Sequence, residues 1–215
     1  MNWLGAQDDR RESGRGITVA VLDTGIDINH ESLLGLNYSE VSLLDDSVED
    51  GVGHGTGIAS IIAGQTDAFL GLAPSSEVLS VKVLNSDGVG DSFTIAKGIV
   101  LSVDQGADII NLSLGGFSSS AAMDQAIQYA KSKDVLLVSA VGNDGTEGVL
   151  YPARHKDVIA VSSVDAKSRI SSFASYGPEV DLAAPGVGIV TAWEDNHFVE
   201  FSGTSIATAF VSGAL

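Results

Sequence analysis

The sequence predicts a single α/β domain: a mostly parallel central sheet with helices on both faces. Three observations lead there. The length of 215 residues suits one large domain. A hydrophobic fraction of 44% with 25 glycines is a globular composition. Short Val/Ile/Leu runs without strict alternation take turns with segments of helical period, as expected where strands are buried on both faces and joined by helical crossovers.

The elements follow in chain order. The first ten residues carry no apolar run behind Met1, so they are no secretory leader. Residues 1–16 read as a surface segment leading into a domain that spans 17–215. Apolar runs at 17–22, 78–84, 108–112, 135–140 and 158–163 are expected strands. Between them, 94–105 carries Ile95, Ile99, Val100 and Val103 at helical spacing, and 119–133 carries Ala122, Ala126, Ile127 and Ala130. Both helices have Ser-rich starts suited to N-caps. Strand–helix–strand order implies right-handed crossovers and a parallel sheet. No repeat or long linker divides the chain. No stretch reaches the ~18 apolar residues of a membrane span.

Charge and composition exclude several functions. With 28 Asp and Glu against 11 Lys and Arg, the formal net charge is −17. Nucleic acids and anionic membranes are therefore not expected partners, because clustered cations are what neutralise phosphate. The absence of cysteine removes disulfides, thiolate metal sites and thiol nucleophiles. Asp outnumbers Glu 19 to 9 and gathers in stretches such as 45–50. That surplus reads first as a solvated surface, with high-salt adaptation, calcium loops or repulsion of acidic substrates as sharper alternatives.

In an open parallel sheet the chemistry lies beyond the carboxyl ends of the strands. Gly-rich turns stand there: 23–25, 85–90, 113–116 and 142–145. Nucleotide fingerprints fail, since in Gly51-Val52-Gly53-His54-Gly55-Thr56 the third glycine position holds Thr56. Neither a P-loop nor a G-x-S-x-G elbow is present. Three other segments stand out. Asp23-Thr24-Gly25 ends a hydrophobic strand, His54-Gly55-Thr56 starts an apolar helix, and Gly203-Thr204-Ser205 starts another among small residues. Singly these are a turn acid, a structural histidine and an N-cap serine. Together they supply a nucleophile, a base and the carboxylate that fixes the base's tautomer.

From about Gly16 to Leu215 the sequence resembles the subtilisin-like serine proteases, the subtilase family, whose three signatures occur in order at 23–25, 54–56 and 203–205. The resemblance implies a serine endopeptidase working through an acyl-enzyme. Ser205 is then the nucleophile, His54 the general base and later acid, Asp23 its orienting carboxylate and Asn143 the oxyanion-hole side chain. It implies that Ser113-Leu114-Gly115-Gly116 and Gly88-Val89-Gly90 are two edges that add an extended peptide as a strand. Leu84 would touch the side chain before the scissile residue, and Ile95 and Leu114 would floor a more distant apolar pocket. Asp144 would rim the primary pocket. Leu150 would stand at its base and shorten it, favouring small or medium apolar residues. Tyr151–Pro152 matches a cis peptide.

Four departures qualify the resemblance. The chain is expected to stop short of elements that relatives carry after this helix. Gly57 stands where a histidine is common, and a stability cost is expected there. Ile206 replaces a methionine and Ala209 a proline, so the site should resist oxidation. Ser32 stands at a carboxylate of the strong calcium site, and 65–70 reads as shortened, so that site is expected to be lost. Asp181 matches a ligand of a weaker cation site, or is an acid at a strand edge. The chemistry needs no cofactor; structural calcium stays open. Polypeptide substrates and an inhibitory or chaperoning propeptide are the expected partners, and a secreted mature form or an intracellular one both fit. A truncated peptide-binding module of low activity is the alternative to an endopeptidase. On this frame the acidic surplus reads less as a calcium device than as a soluble, salt-adapted surface.

Overall fold

A computed structural model describes residues 11–44 and 47–215; Asp45, Asp46 and residues 1–10 of the expected surface segment lie outside the described residues. The strands are β1 (Thr18–Asp23), β2 (Tyr38–Ser42), β3 (Gln65–Thr66), β4 (Phe69–Leu70), β5 (Glu77–Lys82), β6 (Ile109–Leu112), β7 (Leu136–Ala140), β8 (Ile159–Val164), β9 (Leu182–Pro185), β10 (Ile189–Trp193) and β11 (His197–Phe201). The helices are α1 (His54–Ala63), α2 (Ser92–Asp104), α3 (Ala121–Ser132) and α4 (Thr204–Ala214).

Seven strands form one sheet in the order β2-β5-β1-β6-β7-β8-β9. Every neighbouring pair in it is parallel. The chain starts in the middle, builds out to β2, returns to β5, then crosses β1 to continue from β6 to β9. Strand order thus reverses around β1, which opens a crevice at the carboxyl ends where a ligand can sit.

Both faces of the sheet are covered. Along β1, Val19 and Val21 face α1 and α4, packing with Ile58, Ile62, Ile206 and Ala207. Ala20 and Leu22 point the other way, toward Ile99 of α2 and Ile127 of α3. Alternate residues serve opposite cores, which is why β1 is apolar at four successive positions, Val19 to Leu22. Each such Val, Leu or Ile contributes about 1.5–3 kcal/mol.

The five strands expected from apolar runs are present within one or two residues of the expected bounds. The α3 cap is Ser120, whose side chain accepts from Met123 N. For α2 the cap is not a serine but Asp91, which accepts from Phe93 N and Thr94 N. The edge strand β2 and β11 mix polar and half-exposed residues, while β10 is a largely apolar run that is not among the five expected strands. The peptide between Tyr151 and Pro152 is cis.

Candidate active site

Asp23 is the last residue of β1 and is buried. His54 opens α1, so its ring emerges at the same end of the sheet. The helix can approach this closely because residue 55 is glycine: a Cβ there would lie 2.1 Å from Gly25 O and 3.2 Å from Asp23 Cβ. His54 Nδ1 stands 2.8 Å from Asp23 Oδ1. That oxygen also accepts from Thr24 N at 2.8 Å. An imidazole bonded this way carries its proton on Nδ1 and presents Nε2 as the base. Burial pushes the imidazole pKa down, but the Asp23 charge and hydrogen bond, with a further contribution from Asp50, outweigh it, so His54 ends above its ordinary value. The ring edge meets Phe201 at 5.9 Å, and Trp193 stands against Phe201 at 5.7 Å. The hairpin therefore walls one side of the histidine.

Sequence reasoning missed Asp50. Its carboxylate is buried and accepts five hydrogen bonds. Oδ1 takes Thr24 Oγ1, Val52 N and Gly53 N at 2.9–3.0 Å. Oδ2 takes Thr56 N and Thr56 Oγ1 at 2.9 and 2.7 Å. This acid satisfies the unpaired N–H groups at the start of α1 and clamps the turn after Asp23. It sits in an acidic run that looked like solvated loop; its position four residues before His54, at the start of a helix, was the available signal.

Ser205 lies in the first turn of α4 and is buried. Its hydroxyl donates to Ser113 O at 3.2 Å. Asn143 approaches the same turn from beyond β7: its Oδ1 accepts from Thr204 N at 2.9 Å and from Thr204 Oγ1 at 3.0 Å. A backbone N–H can only donate, so the amide orientation is fixed, and Nδ2 is left for another acceptor. That nitrogen lies 3.6 Å from where a Cβ on Gly203 would stand.

The other expected site residues are distributed around these. Ser113 is buried beside Ser205, while Gly115 is exposed and Gly116 is paired with Tyr151 through both backbone groups at 2.8 Å. Gly88 and Val89 are exposed on a turn closed by Asn85, which takes both the N–H and the C=O of Val89. Gly88 N also donates to Asn85 O, at 2.9 Å. Leu84 and Ile95 are buried in the core beneath, with Leu114 packed against it. Leu150 fills the slot between two glycine backbones. Its Cδ1 and Cγ lie 2.7 and 2.8 Å from where a Cβ on Gly142 would be, and its Cβ lies 3.0 Å from that of Gly115. Asp144 is exposed at the edge of this slot.

At the expected strong calcium position the side chain of Ser32 is engaged by a histidine. Ser32 is buried and neutral, with its Oγ 2.8 Å from His30 Nδ1, and His30 Nε2 donates to His197 O at 2.9 Å. Asp181 uses Oδ2 to accept from Ala160 N at 2.9 Å. Among the described residues no group of three or more His, Asp or Glu could hold a metal ion. At Gly57 a Cβ would meet Ala192 O at 3.1 Å and Thr191 Oγ1 at 3.2 Å, so a side chain there requires β10 to give by a few tenths of an ångström.

A serine and a carboxylate–histidine pair at the carboxyl edge of a parallel sheet define a serine-hydrolase type of site. The chain belongs to the subtilase family, whose model matches residues 14–215. It is 41% identical over 202 residues to the thermostable alkaline protease of Halalkalibacterium halodurans, covering 93% of this chain and 56% of that one. It is 40% identical over 211 residues to subtilisin BL of Lederbergia lenta, covering 97% and 78%. Thermitase of Thermoactinomyces vulgaris is 38% identical over 205 residues, covering 93% and 74%. Thus the chain spans little more than half of the first relative and about three quarters of the other two. In structure it is similar to an S218A mutant of the protease domain of PatA, with a TM-score of 0.90 at 30% identity, covering 96% of this chain and 80% of that one. The prenylagaramide maturation protease PagA gives a TM-score of 0.87 at 33% identity, covering 95% and 75%.

Proposed function

We propose that this chain is the catalytic domain of a serine endopeptidase. The observation that carries this is the 2.8 Å Asp23–His54 pair at the same sheet edge as Ser205 and Asn143. The Ser205 hydroxyl turns from Ser113 O toward His54 Nε2 as substrate binds; catalytic hydrogen bonds commonly form only in that complex. Ser205 Oγ adds to the scissile carbonyl and its proton passes to His54 Nε2. Asp23 holds the imidazolium, and the oxyanion is received by Asn143 Nδ2–H and Ser205 N–H. The C–N bond breaks as His54 returns that proton to the leaving amine. Water then enters, giving one proton to His54 while its oxygen bonds the acyl carbon, and Ser205 leaves with that proton. Every group in this sequence comes from the chain, and no cofactor takes part.

The substrate lies extended between Ser113–Gly115 and Gly88–Gly90. Leu150 in the slot between Gly115 and Gly142 supports a short primary pocket for small apolar side chains, with Asp144 at its rim. A propeptide of the subtilase type is the partner the family suggests. An apolar groove of about 590 Å³ lies outside α2 and α3, lined by Phe93, Lys97, Val100, Ala122, Gln125 and Tyr129. We read its place of action as extracellular from the family resemblance. We read Asp181 as a strand-edge acid, and thermal stability is expected to be unmoved by EDTA. Hydrolysis of casein and of peptide p-nitroanilides, compared with Ser205→Ala, tests the reading. Activity must vanish in the variant, and a wild-type chain that binds peptides without cleaving them would favour the binding-module alternative.

A further inference from the structure

Ser205 is held by more than the turn that carries it. Three buried polar side chains from β6, the turn after it and α4 connect in one line to the Ser205 carbonyl. Ser212 Oγ donates to Asn111 Oδ1 at 2.9 Å, Asn111 Nδ2 donates to Ser113 Oγ at 3.0 Å, and Ser113 Oγ donates to Ser205 O at 3.0 Å. The Ser205 hydroxyl returns to Ser113 O at 3.2 Å. Asn111 and Ser212 are 0% and 1% exposed, so no solvent substitutes for a missing member.

The direction of each bond matters. The single Ser113 proton goes to a carbonyl, so its oxygen must receive a donor, and the Asn111 amide supplies one. Were that amide turned over, the Ser113 proton would go to Asn111 Oδ1 and release the Ser205 carbonyl. The Ser212 proton on Oδ1 favours the arrangement seen. Residues 205 and 212 are two turns apart, so the line fixes about 10 Å of helix at both ends to the sheet edge.

We infer that Asn111, Ser113 and Ser212 are positioning residues that set the height and rotation of Ser205 against His54. This rests on the serine-protease reading above. None of the three side chains touches a reacting atom; they act through the Ser205 backbone. Displacement of a reacting group by about 1 Å costs up to about 100-fold in rate.

The test compares Ser212→Ala, Asn111→Ala and their double variant with Ser102→Ala. The last deletes a buried helical hydroxyl bonded to Gly98 O on α2, outside the line. Peptide p-nitroanilide kinetics are run below each melting transition, with fluorophosphonate titration giving the wild-type site concentration. Ser212→Ala should lower kcat about tenfold and Asn111→Ala about tenfold to 100-fold. In Ser212→Ala, KM should stay within about twofold and the acid limb of the pH profile unmoved, because Ser212 bonds Asn111 and neither His54 nor a binding-edge residue. The double variant should be no worse than Asn111→Ala, since both break one line. Ser102→Ala should keep its kcat. Unchanged kcat in Ser212→Ala, an equal loss in Ser102→Ala, or losses that multiply in the double variant would each overturn the inference. Ser212→Ala removes one oxygen and decides the matter if Asn111→Ala does not fold. A wild-type chain that neither cleaves nor labels overturns the protease reading, and this inference with it.

Discussion

Replacing Leu150 by glycine should broaden cleavage toward larger side chains, and the size of the effect can be worked from the slot it fills. The Leu150 side chain lies within 2.7–3.3 Å of the positions where Cβ atoms of Gly142 and Gly115 would stand; on the primary pocket proposed above, it takes up space a substrate side chain would enter. Removing it opens room for the three carbons by which leucine exceeds alanine. At about 0.8 kcal/mol per buried carbon that is about 2.4 kcal/mol, or about 60-fold. The assay is kcat/KM on peptide p-nitroanilides with Ala, Leu or Phe at the cleavage position. The Leu-to-Ala ratio should rise by about that factor, with most of the gain on the large substrates. Half-burial of Leu150 sets the stability cost at about 1–2 kcal/mol, below that of truncating a fully buried leucine. A folded Leu150→Gly enzyme with an unchanged ratio would refute the placing of this slot as the primary pocket.

Two further outcomes follow from the same geometry. Asn143→Ala should lower kcat by about 10²–10³ with little change in KM, a magnitude that comes from the corresponding asparagine of subtilisin, a relative; steady-state kinetics decide it. His54 must be neutral to act as base, so with its pKa raised the acid limb of kcat/KM should lie above about 6.5, activity being lost as pH falls through it. Asp50→Asn should move that limb to lower pH. Asp23→Asn should move it further and cost about 10⁴-fold in kcat, as removal of the triad carboxylate does in other serine proteases. A pH–rate profile of the three proteins checks both.

The sheet was legible where strands are buried on both faces, because most positions of β1 and β5 to β8 are Val, Ile, Leu or Ala, with buried polar residues such as Ser80, Asn111 and Ser139 among them. It was less legible at β2, whose Ser39 and Glu40 face solvent on an edge, and in the β10–β11 hairpin, where half-exposed residues mask the period. The three signature segments marked their residues because each had to end a strand or start a helix. Asp50 did not stand out: five donors from Thr24 and residues 52–56 meet on it only after α1 has folded against the turn after β1. The Asn111–Ser113–Ser212 line was hidden for a similar reason, as it joins residues about 100 positions apart. That a hydroxyl stands at position 32 was readable, but not that it is engaged by His30.

The central claim is that Ser205 is a nucleophile activated by His54. Reaction with a fluorophosphonate followed by peptide mapping tests it most directly. One adduct per chain is expected, on Ser205, formed faster as pH rises through the His54 titration and absent in Ser205→Ala. A folded chain with no adduct, or an adduct on another residue, would contradict it.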